Sequence, residues 1–170
     1  MAEFVCRKCG ERYPDTQPRW KCDCEGLLGL DFKPSLSLDD LKSRPATLWR
    51  YREALPIPQG ADLTLGEGFT SILPVEIGGR DVLVKQEQLS PTGSYKDRGA
   101  AIMIAVAAYL GVDNVVEDSS GNAGCAVAAY CAKAEIACRI FVPADNSPGK
   151  LGQIALYGAD LTRVEGSREM

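Results

Sequence analysis

Pro91-Thr-Gly-Ser-Tyr-Lys-Asp-Arg-Gly99 stands between two kinds of pattern. Before it, Asp81–Glu87 carries the apolar run Val82, Leu83 and Val84, which predicts a strand. After it, Asp97–Leu110 is apolar almost all round, which predicts a buried helix, with Gly111 just past its end. The alternation continues. Asn114–Glu117 reads as a short strand, and Asn122–Lys133 as an alanine-rich helix able to pack closely on a sheet. Arg139–Val142 reads as a strand closed by Pro143. Ser147-Pro148 supplies the N-cap and first position of a third helix, which Gly158 ends, and Leu161–Val164 is a fourth strand. Strands alternating with helices predict a parallel sheet with crossover helices. No internal repeat is present.

The same nonapeptide places one lysine, Lys96, between a glycine-containing turn and the first turn of a helix. A protonated lysine is a poor nucleophile, and surroundings that favour the neutral amine activate it. The positive end of the helix dipole and the neighbouring Arg98 both disfavour a second positive charge there. The alternative is a solvated Lys-Asp-Arg trio at a helix start.

Glu117-Asp-Ser-Ser-Gly-Asn-Ala-Gly124 joins a strand to the next helix. Backbone N–H groups at such a junction face outward, and a helix N-terminus favours an anion. Gly121 allows close approach to a ligand, and Ser119, Ser120 and Asn122 add short polar side chains. The spacing is not Gly-x-Gly-x-x-Gly, so a carboxylate suits the loop better than a nucleotide. The alternative is an ordinary polar helix cap.

Composition narrows the chemistry. The chain has 170 residues, 45% hydrophobic and 25% charged, as expected of a soluble globular protein with room for one domain and a small appendage. Net charge is −4 and the basic residues are scattered, which argues against nucleic acid. Ala100–Leu110 is the longest apolar run and is too short to span a bilayer. The N-terminus has no basic region followed by an apolar core, so a cytoplasmic protein is expected. Histidine is absent, which excludes histidine-based triads, bases and metal ligands.

Seven cysteines form two sets. Cys125, Cys131 and Cys138 lie in apolar surroundings and read as small buried hydrophobes. Cys6-Arg-Lys-Cys9-Gly10 reads as a metal knuckle, and Cys22-Asp-Cys24-Glu-Gly26 offers two further thiolates. Four thiolates suit one tetrahedral structural zinc, with iron as an occasional substitute and no open position for catalysis. A segment of this size has too little core to fold without a staple. Two metal-free cysteine turns are the alternative. Residues 33–62 follow as an irregular linker broken by Pro34, Pro45, Pro56 and Pro58, with a short helix predicted over Ser37–Leu41 and Ser37 as its cap.

Six segments resemble, in order, the threonine synthase branch of the fold-type II pyridoxal-phosphate (PLP) enzymes. They are the cysteine ribbon, the Leu48-Trp-Arg-Tyr51 lead-in with Leu55-Pro56, Leu65-Gly-Glu-Gly-Phe-Thr-Ser71, the Lys96 segment, the Ser119-Ser-Gly-Asn122 loop and the terminal Gly158-Ala-Asp-Leu161 strand. The family's lysine segment has Phe where Tyr95 stands, and its Gly-Glu-Gly motif ends in Pro where Ser71 stands. The resemblance implies that Lys96 holds PLP as a Schiff base and takes the substrate's Cα proton. It implies that Ser119, Ser120, Gly121, Asn122 and Ala123 hold the substrate carboxylate, that Asn122 also bonds the cofactor ring hydroxyl, and that Thr70 lines the substrate side. The implied reaction is conversion of O-phosphohomoserine and water to threonine and phosphate, in a homodimer. A serine or threonine dehydratase and a cysteate synthase-like enzyme are sibling readings. A non-catalytic zinc-ribbon interaction module is a reading of another class.

The expected architecture is therefore α/β. A zinc-ribbon-like unit occupies residues 1–32, and a linker with the start of the large domain occupies 33–80. A small parallel αβα domain occupies 81–170. The family's glycine-rich phosphate cradle and its pyridine-nitrogen Ser or Thr are not found in the chain, and the last strand has no following crossover. The reading thus expects the N-terminal portion of a longer fold, inactive alone.

Overall fold

The computed structural model describes residues 2–144 and 148–166. At the N-terminus, β1 (Glu3–Cys6) is the centre of a three-stranded antiparallel sheet, flanked by β2 (Arg12–Pro14) and β3 (Leu28–Asp31). Arg12 on β2 pairs with Glu3 and Asp31 on the other two strands, half exposed, so the pairs fix register more than they stabilise. The buried apolar side chains of this unit are Ala2, Cys6 and Cys22. Hydrophobic burial on that scale does not hold a unit of this size together.

The proline-broken stretch that follows forms 3₁₀ turns rather than long helices, at Asp39–Leu41 and Leu48–Ala54. The helix predicted from Ser37 is a single such turn whose N-cap is Leu38 rather than Ser37; Ser37 Oγ accepts the Asp39 N–H (3.3 Å) from one residue further back. Arg50 ties the two turns together by donating to the Leu41 carbonyl (2.6 Å), and Arg44, between them, is fastened to the second. Arg44 donates to both carboxylate oxygens of Glu53 (2.5 and 2.9 Å) and to the Arg50 carbonyl (3.0 Å).

The strand expected over Asp81–Glu87 forms as β5 (Arg80–Lys85), but it does not join the parallel sheet. It pairs antiparallel with β4 (Ile72–Ile77), and the hairpin spans the expected boundary at residue 80. The cause is local. Gly78 and Gly79 both have positive φ (60° and 75°), the geometry of a two-residue hairpin turn, so the nearest partner for β5 is the strand just before it.

Beyond the hairpin the alternation holds. In order come α1 (Lys96–Tyr109), β6 (Asn114–Glu117), α2 (Asn122–Ala134), β7 (Ala137–Pro143), α3 (Pro148–Leu156) and β8 (Asp160–Val164). The three strands form one parallel sheet in the order β6-β7-β8. Ser147, expected to cap α3, lies outside the described residues.

Helix α2 is the centre of the core. Every residue from Gly124 to Cys131 is buried. On one side Ala126, Val127, Tyr130 and Cys131 meet Ala100, Ala101 and Ile104 of α1, together with Leu48 and Ile136. On the other side Cys125 and Ala128 meet Ile140 and Val142 of β7 and Leu151 and Ile154 of α3. Small side chains on α2 permit both approaches. Helix α1, expected to be buried all round, instead leaves Met103 and Tyr109 about half exposed, because it is covered along one side only.

Candidate active site

Lys96 is the first residue of α1 and is partly exposed. Tyr95 precedes it without a side-chain cap, so other contacts must hold this helix end. Asp97 is fully buried and accepts two hydrogen bonds from Thr92, from its N–H (2.9 Å) and its Oγ1 (2.7 Å). That closes the 92–97 turn on itself. Ser94 Oγ accepts the Lys96 N–H (3.3 Å).

Arg98 does not lie beside Lys96 as a free cation. Its guanidinium donates twice to Glu87, from Nε (2.8 Å) and Nη2 (2.8 Å), in a bidentate pair. Thr70 Oγ1 donates to the same carboxylate (2.7 Å) and accepts from Lys85 Nζ (2.6 Å), which also reaches the Thr70 carbonyl (2.6 Å). The Arg98 guanidinium, then the Thr70 hydroxyl, hold the Glu87 carboxyl down at about 2. Thr70 therefore sits near the lysine segment with its hydroxyl proton engaged by Glu87. Lys85 is tied down at its amine. Among the described residues no hydrogen bond or ion pair engages the Lys96 amine, which lies 4.8 Å from the Tyr95 ring centroid.

The 117–124 loop closes onto the start of α2. Gly121 is the N-cap, its N–H donates to Ser119 Oγ (3.3 Å), and its carbonyl accepts the Cys125 N–H (3.0 Å). Gly124 has no alternative residue: a Cβ there would lie 1.9 Å from the Ser119 carbonyl oxygen. Gly121 differs, since a Cβ there would meet nothing nearer than Ser119 Oγ at 3.9 Å. The chain itself does not fill that space. Asn122 is exposed, Ser120 and Ala123 are partly exposed, and the side chains of Ser120 and Asn122 make no hydrogen bond among the described residues.

Helix α3 brings the two segments together. Gln153 donates to the Thr92 carbonyl of the lysine turn (3.2 Å), while the adjacent Ile154 packs against Gly124. The turn that leads to Lys96 and the helix start that follows the open loop thus both pack on α3. Lys96 fits a cofactor aldehyde, and the 119–123 loop fits an anionic group.

The Leu65–Ser71 segment contains a residue that motif reading passes over. Glu67 is fully buried, and its Oε2 accepts from Thr64 Oγ1 (3.1 Å), the Leu65 N–H (2.9 Å) and Tyr130 Oη of α2 (2.7 Å). The burial and the Glu67 carboxyl both push the Tyr130 phenol upward. Gly68 (φ 94°) passes so close to Leu48 that a Cβ would lie 2.6 Å from its backbone nitrogen. The links from Glu67 to Tyr130 and from Glu87 to Arg98 join separate elements and follow no periodicity, so no local pattern reveals them.

The four N-terminal cysteines do converge. Their Sγ atoms all lie within 4.8 Å of one another, with Cys6–Cys24 and Cys9–Cys22 at 3.6 Å and Cys9–Cys24 at 3.4 Å. Four sulfurs about 2.3 Å from one zinc ion would stand about 3.8 Å apart. The set fits that ion. Gly26 makes the tight Cys-x-Cys half workable, since a Cβ there would lie 2.6 Å from Cys6 Sγ. The Cys9 and Lys8 backbone N–H groups draw Cys6 down to about 6. Cys9 is pulled down by the Glu11 N–H, but the facing sulfurs of Cys24, Cys6 and Cys22 carry it up to about 12. Among the described residues no helix is long and apolar enough to cross a membrane.

Residues 63–170 match a family described as "Pyridoxal-phosphate dependent enzyme". The chain is similar to curated threonine synthases. It is 35% identical to that of Methanocaldococcus jannaschii over 95% of this chain and 43% of the relative. It is 32% identical to that of Methanosarcina acetivorans over 98% of this chain and 44% of the relative. It thus spans less than half the length of these relatives. Among solved structures it resembles a serine racemase from Dictyostelium discoideum (33% identity, TM-score 0.54, 59% of this chain and 34% of the other). It also resembles an O-ureido-L-serine synthase (29% identity, TM-score 0.54, 59% and 35%).

Proposed function

The chain belongs to the pyridoxal-phosphate-dependent enzyme family and resembles its threonine synthases, and from that premise we propose that the whole protein converts O-phosphohomoserine and water to threonine and phosphate. The observation that carries the reading is the unengaged Lys96 amine at the start of α1, while the nearby Lys85 amine is held by Thr70. PLP, when bound, supplies an electron sink for charge developing at the substrate Cα.

Lys96 Nζ binds the cofactor aldehyde and moves the proton at the substrate Cα. Neutral lysine is competent for both roles, and the chain offers no histidine to share them. Ser119, Ser120, Gly121, Asn122 and Ala123 orient the substrate carboxylate at the start of α2, where the helix dipole favours an anion. The Asn122 side chain bonds the cofactor ring hydroxyl. Thr70 lines the substrate side through its place beside Arg98. Zinc on Cys6, Cys9, Cys22 and Cys24 staples the N-terminal sheet and takes no part in the reaction. The whole protein works as a cytoplasmic homodimer.

A sibling reading draws on the likeness to a serine racemase, since serine carries no phosphate. The assay separates the two. The whole protein with PLP is given O-phosphohomoserine, L-serine or L-threonine, and inorganic phosphate and 2-oxo acid are measured. Phosphate with threonine is the expected result. Oxo acid from serine or threonine, without phosphate release, would replace it with a dehydratase. A colourless protein inactive on all three would leave an interaction module.

A further inference from the structure

We propose that Glu87 is a positioning residue for Lys96, acting through Arg98; the inference rests on the reading of Lys96 as the cofactor lysine. A lysine that serves first as an attachment point and then as a base needs a fixed backbone beneath a mobile side chain. The start of α1 lacks the usual means of fixing it, since Tyr95 provides no side-chain cap. Two neighbours of Lys96 supply the anchor instead. Asp97 fastens the helix start backward to Thr92. Arg98 fastens it sideways to Glu87, just after β5.

In an α-helix successive residues turn by about 100°. Side chains at 97 and 98 therefore leave the helix in directions different from Lys96. Anchoring both stops the first turn from rotating while leaving the lysine free. The sideways anchor is planar and bidentate, so it restrains orientation as well as distance. It is also supported: Thr70 donates to Glu87, and Lys85 holds Thr70. Glu87 and Arg98 are each about three-quarters buried, so the pair is better shielded than a surface ion pair. Three side chains, those of Thr70, Lys85 and Arg98, thus converge on a carboxylate whose role is to hold the residue two positions after the lysine.

The test uses the 170-residue chain, with Glu87→Gln and Arg98→Lys as separate variants. One arm measures amide hydrogen exchange without cofactor. The other reduces the chain with borohydride during brief exposure to PLP and compares label on Lys96 with label on the exposed Lys42, which reacts to some extent in any case. Both variants are expected to speed exchange across residues 92–100 roughly tenfold. Exchange in α2 should stay unchanged, and the Lys96-to-Lys42 ratio should fall at least about fivefold. Arg98→Lys keeps the charge but loses the fork, so it checks that orientation is what matters. Unchanged exchange in 92–100 overturns the proposal, and so does faster exchange spread equally through α2. Faster exchange with an unchanged label ratio also overturns it, since the pair would then be merely structural. A ratio near one in the unsubstituted chain would count against Lys96 as cofactor lysine, and the exchange arm would still decide the role of Glu87.

Discussion

Glu87 titrates where its partners leave a measurable trace. Arg98 and Thr70 hold its carboxyl at about 2 in the folded chain, against about 4.3 for an unfolded glutamate. A depressed folded value stabilises the fold above the unfolded value and loses that contribution as pH falls through the folded one. The stability difference between the unsubstituted chain and Glu87→Gln should therefore be constant above about pH 5, about 1–3 kcal/mol in size, and should vanish toward about pH 2. Denaturant unfolding across that range measures it, and a difference that persists undiminished at pH 2 would reject the ion pair. Thr70 belongs to the same network, which is why a residue expected only to face substrate is found donating to Glu87.

Two glycines on neighbouring elements make opposite predictions. Gly124→Ala would place a methyl group 1.9 Å from the Ser119 carbonyl, so either the 117–123 loop or α2 must move. A loss of about 2–4 kcal/mol is expected, together with poorer anion binding at the loop. Gly99→Ala meets open space on α1 and should stabilise by up to about 1 kcal/mol. Thermal unfolding of both variants checks the pair. At this scale the helices of the α/β half and strands β6, β7 and β8 are legible from alternation and from Gly111, Gly158 and Pro143. The hairpin is not read from the apolar run of β5 alone, because the run does not name its partner. Gly78-Gly79 does. Nor does composition say which of two apolar helices is central. That depends on small side chains letting α2 be approached from two sides. The lysine turn and the Ser-Ser-Gly-Asn loop are legible because each is local, whereas Glu67–Tyr130 and Glu87–Arg98 join residues 63 and 11 positions apart.

At the scale of the whole molecule, two stabilising strategies sit side by side. The α/β half is held by burial around α2, while the N-terminal sheet has a core made largely of cysteine. Cys9→Ser should therefore remove one zinc equivalent per chain and melt residues 3–31 at lower temperature, leaving the unfolding of the α/β half unchanged. Metal analysis under reducing, chelator-free conditions checks it, and a metal-free unsubstituted protein would reject the site. In the other half, the unengaged Lys96 amine stands at a pinned helix start, on the same α/β unit as an open anion loop. The most direct measurement is borohydride reduction of the whole protein with PLP, followed by peptide mapping. One label per chain is expected, on Lys96, with a near-visible absorbance lost in Lys96→Ala. Label confined to Lys85 or another lysine, with Lys96 unmodified, would contradict that expectation.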